Sequence, residues 1–480
     1  MGVKTVSKAN QISDMDATTL AEQIRQGHIT SLEATNTYIE RIKQIQPKLN
    51  CVVEERFDEA RKEAKKADEK LITADVSGAL FGVPISIKES FDVKGMKTTG
   101  GLIHRKNNVA ENDAEIVKKL KDAGAIILCK TNTPVLCFCQ ETDNKLYGRT
   151  NNPWDYSRTA GGSSGGEGSL LAAGGAAVGI GSDIGGSIRF PSHFNGVIGF
   201  KSGNKQVSQN GSFPYVHNPL QERMLGIGAI GKSVQDTAMI NTIIANSVPK
   251  KMELNRFKII APQKDIHYPL SNTTKEAMTK TIKHLQKQFP IFDETPPFFH
   301  ESALLWQLIM SIDGAKEGKK IAYRNERHSP LKEFLQEQLF QSSKVHHYYS
   351  WAAFGANLFR PSEKKRIKLE EEIMKGESIL SDYLQNKVII LPVYHTTALP
   401  HGKVYWELFS IWKTFKKFIP FVAFANTWGL PSLTIPVEED DSSLPIGIQV
   451  ISKVGNEDAI FQVGKMIEQI RGYRRAPVNQ

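Results

Sequence analysis

Near the N-terminus, apolar positions recur at helical spacing. Leu20, Ala21 and Ile24 form one stripe, and the pattern predicts helices over 17–28 and 31–45, with Asp16 and Ser31 as candidate N-caps. Residues 56–70 continue as a charged helix. The period then changes to two. Within 82–88, Val83, Ile85 and Ile87 fall on one face, and Pro84, Ser86 and Lys88 on the other. A helix over 113–123 precedes Ala125-Ile126-Ile127-Leu128-Cys129, an apolar run suited to a strand buried on both faces. This βαβ rhythm predicts an α/β fold.

Residues 159–205 are glycine-dense and unlike their surroundings. Within them, Ser169–Ala173 reads as helix and Ala176–Ile180 as a buried strand. The stretch 250–390 is more helical and more charged, with a strand at Val388–Pro392. Residues 403–425 are rich in aromatics. Short strands at Ser432–Pro436 and Ile446–Ile451 and a helix near 457–470 close the chain. No repeat and no low-complexity linker interrupts it. The expectation is a single domain over 1–480, with a more variable helical region at about 250–425.

Composition changes this picture little. Of 480 residues, 40% are hydrophobic and 23% charged, enough to build a core and too few charges for disorder. The net charge of +10 is spread over mixed-sign runs such as Arg61-Lys62-Glu63-Ala64-Lys65-Lys66, which read as solvated helix faces. No basic block is interleaved with aromatics, so nucleic acid is not an expected partner. Cys51, Cys129, Cys137 and Cys139 have no spacing suited to a disulfide or a zinc site. Reduced thiols, the absence of an apolar signal core and the lack of a run near 18 apolar residues predict a soluble, cytoplasmic protein without a metal.

The chemistry concentrates in Gly161-Gly162-Ser163-Ser164-Gly165-Gly166-Glu167-Gly168 and in Gly181-Ser182-Asp183-Ile184-Gly185-Gly186-Ser187-Ile188-Arg189. The pattern puts Ser187 on a tight turn just after a strand. A hydroxyl beside a turn rich in amide donors is what acyl transfer needs: a nucleophile and an oxyanion site in one place. A phosphate loop would need Gly-Lys-Ser/Thr, and no lysine follows these glycines. Gly161-Gly162-Ser163-Ser164-Gly165 matches a nucleophile elbow formally, but the preceding 151–160 are polar and turn-like instead of an apolar strand. Tight packing alone does not account for two serine–glycine clusters of this density.

These segments resemble the amidase signature family. Its Gly-Gly-Ser-Ser-Gly-Gly stretch and its Gly-Gly-Ser-Ile-Arg serine correspond to Ser163 and Ser187, 24 positions apart, and its upstream strand lysine to Lys88. The likeness continues through 228–236, 426–431 and 444–449. From Glu167 to Ser192 it is strongest to the bacterial fatty acid amide hydrolase-like amidases. The resemblance implies a central mixed β-sheet surrounded by helices. It also implies a Ser–Ser–Lys triad in which neutral Lys88 takes a proton from Ser163, and Ser163 from Ser187. The amides of Ile184, Gly185, Gly186 and Ser187 would then hold the oxyanion, and no cofactor is required. Asp183 and Arg189 would pair to hold the loop, and with a lysine base His193 is not needed for catalysis. Ser202-Gly203 stands where the family usually has Pro-Thr, and Ala229-Ile230-Gly231 where it has Pro-Met-Ala.

The amidotransferase branch binds its substrate's α-amine with an aspartate, and Leu225 occupies that position here. This favours a small-molecule amide with an apolar acyl or aryl part. Trp406 and Trp412 join Leu225 as candidate pocket residues. The aromatic stretch around them suits three roles: the roof of an apolar pocket, peripheral contact with a membrane, or a packed core helix. A homodimer is compatible with all of this. The rival readings are an amidotransferase subunit releasing ammonia from glutamine and a catalytically silent binding protein.

Overall fold

The computed structural model describes residues 8–74, 76–264, 266–410 and 415–478. Its eleven described strands form one mixed sheet. They are β1 (Val52–Glu55), β2 (Pro84–Lys88), β3 (Ile126–Thr131), β4 (Gly179–Asp183), β5 (Ile198–Lys201), β6 (Gly226–Gly231), β7 (Lys258–Ile260), β8 (Ile291–Phe292), β9 (Lys387–Pro392), β10 (Ser432–Glu439) and β11 (Pro445–Ile451). The order across the sheet is β1-β3-β2-β4-β6-β5-β10-β11-β9-β7-β8. β2 runs parallel to both β3 and β4, whereas β4 and β6 pair antiparallel. Helices cover the sheet, so the expected α/β arrangement of a mixed sheet surrounded by helices is the observed one.

The helix at Ala17–Arg25 starts where Asp16 accepts from the Thr19 amide at 2.7 Å, and it buries Leu20, Ala21 and Ile24. The next helix, Ser31–Leu49, is capped by Thr30 and not by Ser31. Ser31 is already inside the first turn and donates its hydroxyl to the Gly82 carbonyl, tying the helix to the approach of β2.

In β2 the alternation read from sequence holds, but both faces are buried. Ile85 and Ile87 enter the apolar core with the N-terminal helices. Ser86 and Lys88 turn toward buried polar groups on the other side. β4 begins at Gly179, three positions later than the apolar run suggests. Ala177 and Val178 bond across to the β2 edge before the ladder with β6 starts. The aromatic stretch is not one helix. It is divided into Lys403–Leu408, Phe415–Phe418 and Pro420–Thr427, so spacing counted continuously through it has no single face.

Close backbone approach sets where the sheet tolerates side chains. A Cβ on Gly228 of β6 would lie 1.9 Å from the Phe200 carbonyl oxygen of β5, whereas one on Gly355, inside the helix His347–Leu358, would meet nothing within 4 Å. Gly228→Ala should therefore destabilise the fold by about 1–3 kcal/mol or more through overpacking. Gly355→Ala should stabilise it by about 0.5–1 kcal/mol by restricting the unfolded chain. Urea unfolding of both variants checks the opposite signs.

Candidate active site

Lys88 is the last residue of β2, and burial on both sides of the strand takes its side chain out of water. Its Nζ lies 2.7 Å from Ser163 Oγ and 3.0 Å from Ser182 Oγ. Desolvation lowers its pKa below the ordinary lysine range; Cys137, Asp183 and Glu167 oppose that shift. Glu167 projects from the buried glycine-rich helix Gly165–Ala172 and accepts from Ser86 at 2.5 Å and Thr131 at 2.9 Å. Burial raises its pKa to about 7 against those hydrogen bonds and the lysine charge. Ser163 precedes this helix, and the Gly162–Ser163 peptide is cis.

Ser187 follows β4 on the turn that leads into the helix Arg189–Asn195. The Asp183 carboxylate organises this turn. Its two oxygens accept from the amides of Gly186 (2.8 Å), Ile188 (3.1 Å) and Arg189 (3.3 Å). The Arg189 guanidinium reaches them from the side at 3.0 Å twice. Asp183 and Arg189 thus form the pair expected from sequence, with both side chains inaccessible to solvent.

Each peptide unit from 183 to 187 has its carbonyl anchored. Asn426 donates to the Asp183 oxygen (3.4 Å), Trp306 to that of Ile184 (2.8 Å) and Gln140 to that of Gly185 (2.9 Å). The Phe190 amide donates to the Gly186 oxygen (2.7 Å). These peptides are trans, so each following amide points away from its anchored carbonyl. Among the described residues, the amides of Ile184, Gly185 and Ser187 meet no protein acceptor. The Gly186 amide does, at Asp183, which removes it from the four oxyanion donors expected from sequence. Gly186 has φ +95°, a conformation that favours glycine.

Ser163, Ser187, Ser182 and Ile184 open into a cavity of about 560 Å³. Its walls are mostly apolar and include Leu225, Phe213 and Met310, with Cys137 beside them. Three hydroxyls on the walls, those of Ser90, Ser212 and Tyr349, have no protein partner among the described residues. Phe138 and Met310 also border a narrower apolar chamber of about 70 Å³, lined by Gln140, Trp306, Phe409 and Phe415 among others.

The structure thus brings Lys88 and Ser163 into contact and sets Ser187 and Leu225 on the same cavity. Trp406 is a correction: it is 55% exposed and lines neither the cavity nor the chamber, because the helix Lys403–Leu408 turns Val404, Tyr405 and Leu408 inward instead. Trp412 lies outside the described residues. His193 is buried between the Gly447 and Thr396 backbones, and burial depresses its pKa to about 4. Sequence reasoning missed Ser182, Trp306, Gln140 and Asn426. Ser182 lies within the second serine–glycine segment and could have been flagged, but no local signal marks the others.

A large mixed sheet that carries glycine-rich serine turns at a buried lysine defines a class of amide hydrolases, and the comparisons agree. The family model for amidases matches residues 33–461, and the chain belongs to the amidase signature family. It is 32% identical to fatty-acid amide hydrolase 2 of Homo sapiens, over 94% of this chain and 88% of that protein. It is 28% identical to a glutamyl-tRNA(Gln) amidotransferase chain of Trichormus variabilis, over 94% and 96%. Among solved structures, 6-aminohexanoate cyclic dimer hydrolase superposes with a TM-score of 0.80 at 21% identity, covering 97% of this chain and all of that one. A crystal structure of an amidase gives 0.79 at 26%, covering 95% and 99%. No helix among the described residues is long and apolar enough to cross a membrane.

The Asp183–Arg189 pair gives a stability prediction. Burial alone would raise the Asp183 pKa, but the Arg189 charge and the hydrogen bonds outweigh it and hold the carboxyl well below its usual range. Its stabilising contribution is complete above the unfolded value near pH 4 and is lost as pH falls through the folded value. Asp183→Asn should cost about 3–5 kcal/mol at pH 7, since it strands a buried guanidinium. In urea titrations at several pH values, the gap to the wild type should narrow below about pH 4.

Proposed function

We propose that this hydrolase cleaves carboxylic amides with an apolar acyl or aryl part through an acyl-enzyme on Ser187. The observation that carries the reading is the contact of a desolvated Lys88 with Ser163 at 2.7 Å, on the cavity that Ser187 also lines. An amide is a weak electrophile with a poor leaving group, so it needs both a base and an acid. Neutral Lys88 accepts the Ser163 proton while Ser163 accepts that of Ser187. The Ser187 oxygen then bonds to the carbonyl carbon, and the carbonyl electron pair moves onto its oxygen. The amides of Ile184, Gly185 and Ser187 are the donors left to meet that charge. The proton returns from Lys88 through Ser163 to the nitrogen, the C–N bond breaks and the amine departs. Water repeats the sequence on the acyl-enzyme and releases the acid.

The apolar walls and the likeness to fatty-acid amide hydrolase 2 support an apolar substrate. Leu225 on the wall offers no charge to a substrate α-amine, which counts against the glutamine chemistry of the amidotransferase relatives. The single-domain expectation for 1–480 and a homodimer both remain part of the proposal.

Ser187→Ala should abolish amide turnover and labelling by a serine-reactive fluorophosphonate. Intact mass and peptide mapping check this, and an adduct on Ser163 with Ser187 unmodified would overturn the assignment.

Lys88→Ala should lower amide kcat/KM by about 100- to 10,000-fold, with a smaller loss toward esters at high pH, because esters need less leaving-group protonation. In the wild type, amide kcat/KM should rise with pH as Lys88 deprotonates, with its midpoint below the usual lysine range. Equal amide and ester losses at every pH would contradict the shared base and acid role.

A further inference from the structure

Resting on the hydrolase reading above, we infer that Trp306 and Gln140 are positioning residues for amide cleavage, acting through the peptide planes of the oxyanion turn. Neither lines the catalytic cavity, so neither touches the reacting carbonyl. Both are buried, and both donate into the turn: the indole N–H to the Ile184 oxygen at 2.8 Å and the Gln140 amide to the Gly185 oxygen at 2.9 Å.

The consequence follows from the peptide unit. A carbonyl and the next residue's N–H point in opposite directions across a trans bond. Holding the Ile184 oxygen on the Trp306 side therefore turns the Gly185 amide away from Trp306, and that amide has no acceptor of its own among the described residues. Holding the Gly185 oxygen on Gln140 turns the Gly186 amide onto Asp183. A hydrogen bond to a carbonyl also polarises its peptide unit, which strengthens the N–H on the far side as a donor. Gly185 fits this contact because a Cβ there would lie 2.6 Å from Trp306 Cζ2, so the indole sits directly on the turn.

The two donors also face the narrow apolar chamber beside the cavity. Trp306 belongs to the helix Ser302–Met310, and its ring lies 5.7 Å from that of Phe415. Two side chains of that chamber's wall thus also hold the carbonyls of the turn. In amide cleavage, support of this kind is felt when negative charge develops on the oxygen. Its loss lowers kcat and leaves ground-state binding alone.

Trp306→Phe keeps an aromatic ring and removes the N–H; Gln140→Leu keeps similar bulk and removes the donor. Each variant would be measured for kcat and KM on an amide that the wild type cleaves, and for melting temperature. Inhibition would be compared for an apolar trifluoromethyl ketone, which adds Ser187 to form a charged tetrahedral adduct, and for the matching secondary alcohol, which cannot. The expected result is a kcat loss of about 10- to 100-fold, smaller than the loss on deleting a direct oxyanion donor. KM and alcohol affinity should change less than about twofold, and ketone affinity should fall by the same factor as kcat. If Trp306→Phe melts early, Gln140→Leu decides the matter. Unchanged kcat in both variants, or equal weakening of ketone and alcohol, would overturn the inference while leaving the hydrolase reading intact. A wild type that cleaves no amide and binds ketone no better than alcohol would overturn both.

Discussion

The buried Asp183–Arg189 pair is the contact on which the arrangement of this molecule depends. Two carboxylate oxygens collect three amides of one turn and a guanidinium, all shielded from water. Arg189 spends its remaining donors on the Val422 carbonyl, on Gln449 of β11 and on Asn426. One ion pair therefore joins β4, the turn that carries Ser187, the helix Pro420–Thr427 and the far half of the sheet. Such a pair is costly to desolvate and is tolerated because nearly every lone pair and proton finds a partner. The geometry it secures is that of a turn with the amides of Gly186, Ile188 and Arg189 held on one carboxylate.

The same low-dielectric interior that makes this pair rigid also lowers the pKa of Lys88. In water a lysine amine is charged near neutrality and cannot accept a proton. On β2, burial works against the charge, and among the described residues no carboxylate offers a hydrogen-bonding oxygen to Nζ; its close partners are the hydroxyls of Ser163 and Ser182 and the Cys137 thiol. Glu167 sits nearby, but its oxygens are occupied by Ser86 and Thr131. That carboxyl still favours the lysine charge through space, but burial outweighs it.

The aromatic segment is tied down by a different carboxylate. Glu141 follows Gln140 in the chain and accepts from the amides of Gly402 (2.8 Å) and Tyr405 (3.0 Å), at the start of the helix Lys403–Leu408. The segment whose Gln140 holds the Gly185 carbonyl is thereby joined to the aromatic segment beside the chamber. Burial raises the Glu141 pKa to about 7 against those two amides. Packing in this part of the molecule brings Tyr405 face to face with Tyr348, at 4.2 Å between ring centres, and leaves Trp406 outside.

The sequence by itself determined what depends on near neighbours in the chain. Alternation in 82–88 specified which residues of β2 share a face, the Asp16 cap started a helix, and the motifs around Ser163 and Ser187 marked the family. Each rests on periodicity, on a side chain reaching its own backbone, or on a short motif. Only the tertiary structure decided which carbonyls of the turn are held, since their donors stand 45 residues away at Gln140, 122 at Trp306 and 243 at Asn426. It also bound the Gly186 amide to Asp183 and put Trp406 at the surface. Helical spacing cannot say whether an aromatic face meets a core, a cavity or water; that depends on which element packs against it, and here the partners come from separate parts of the chain.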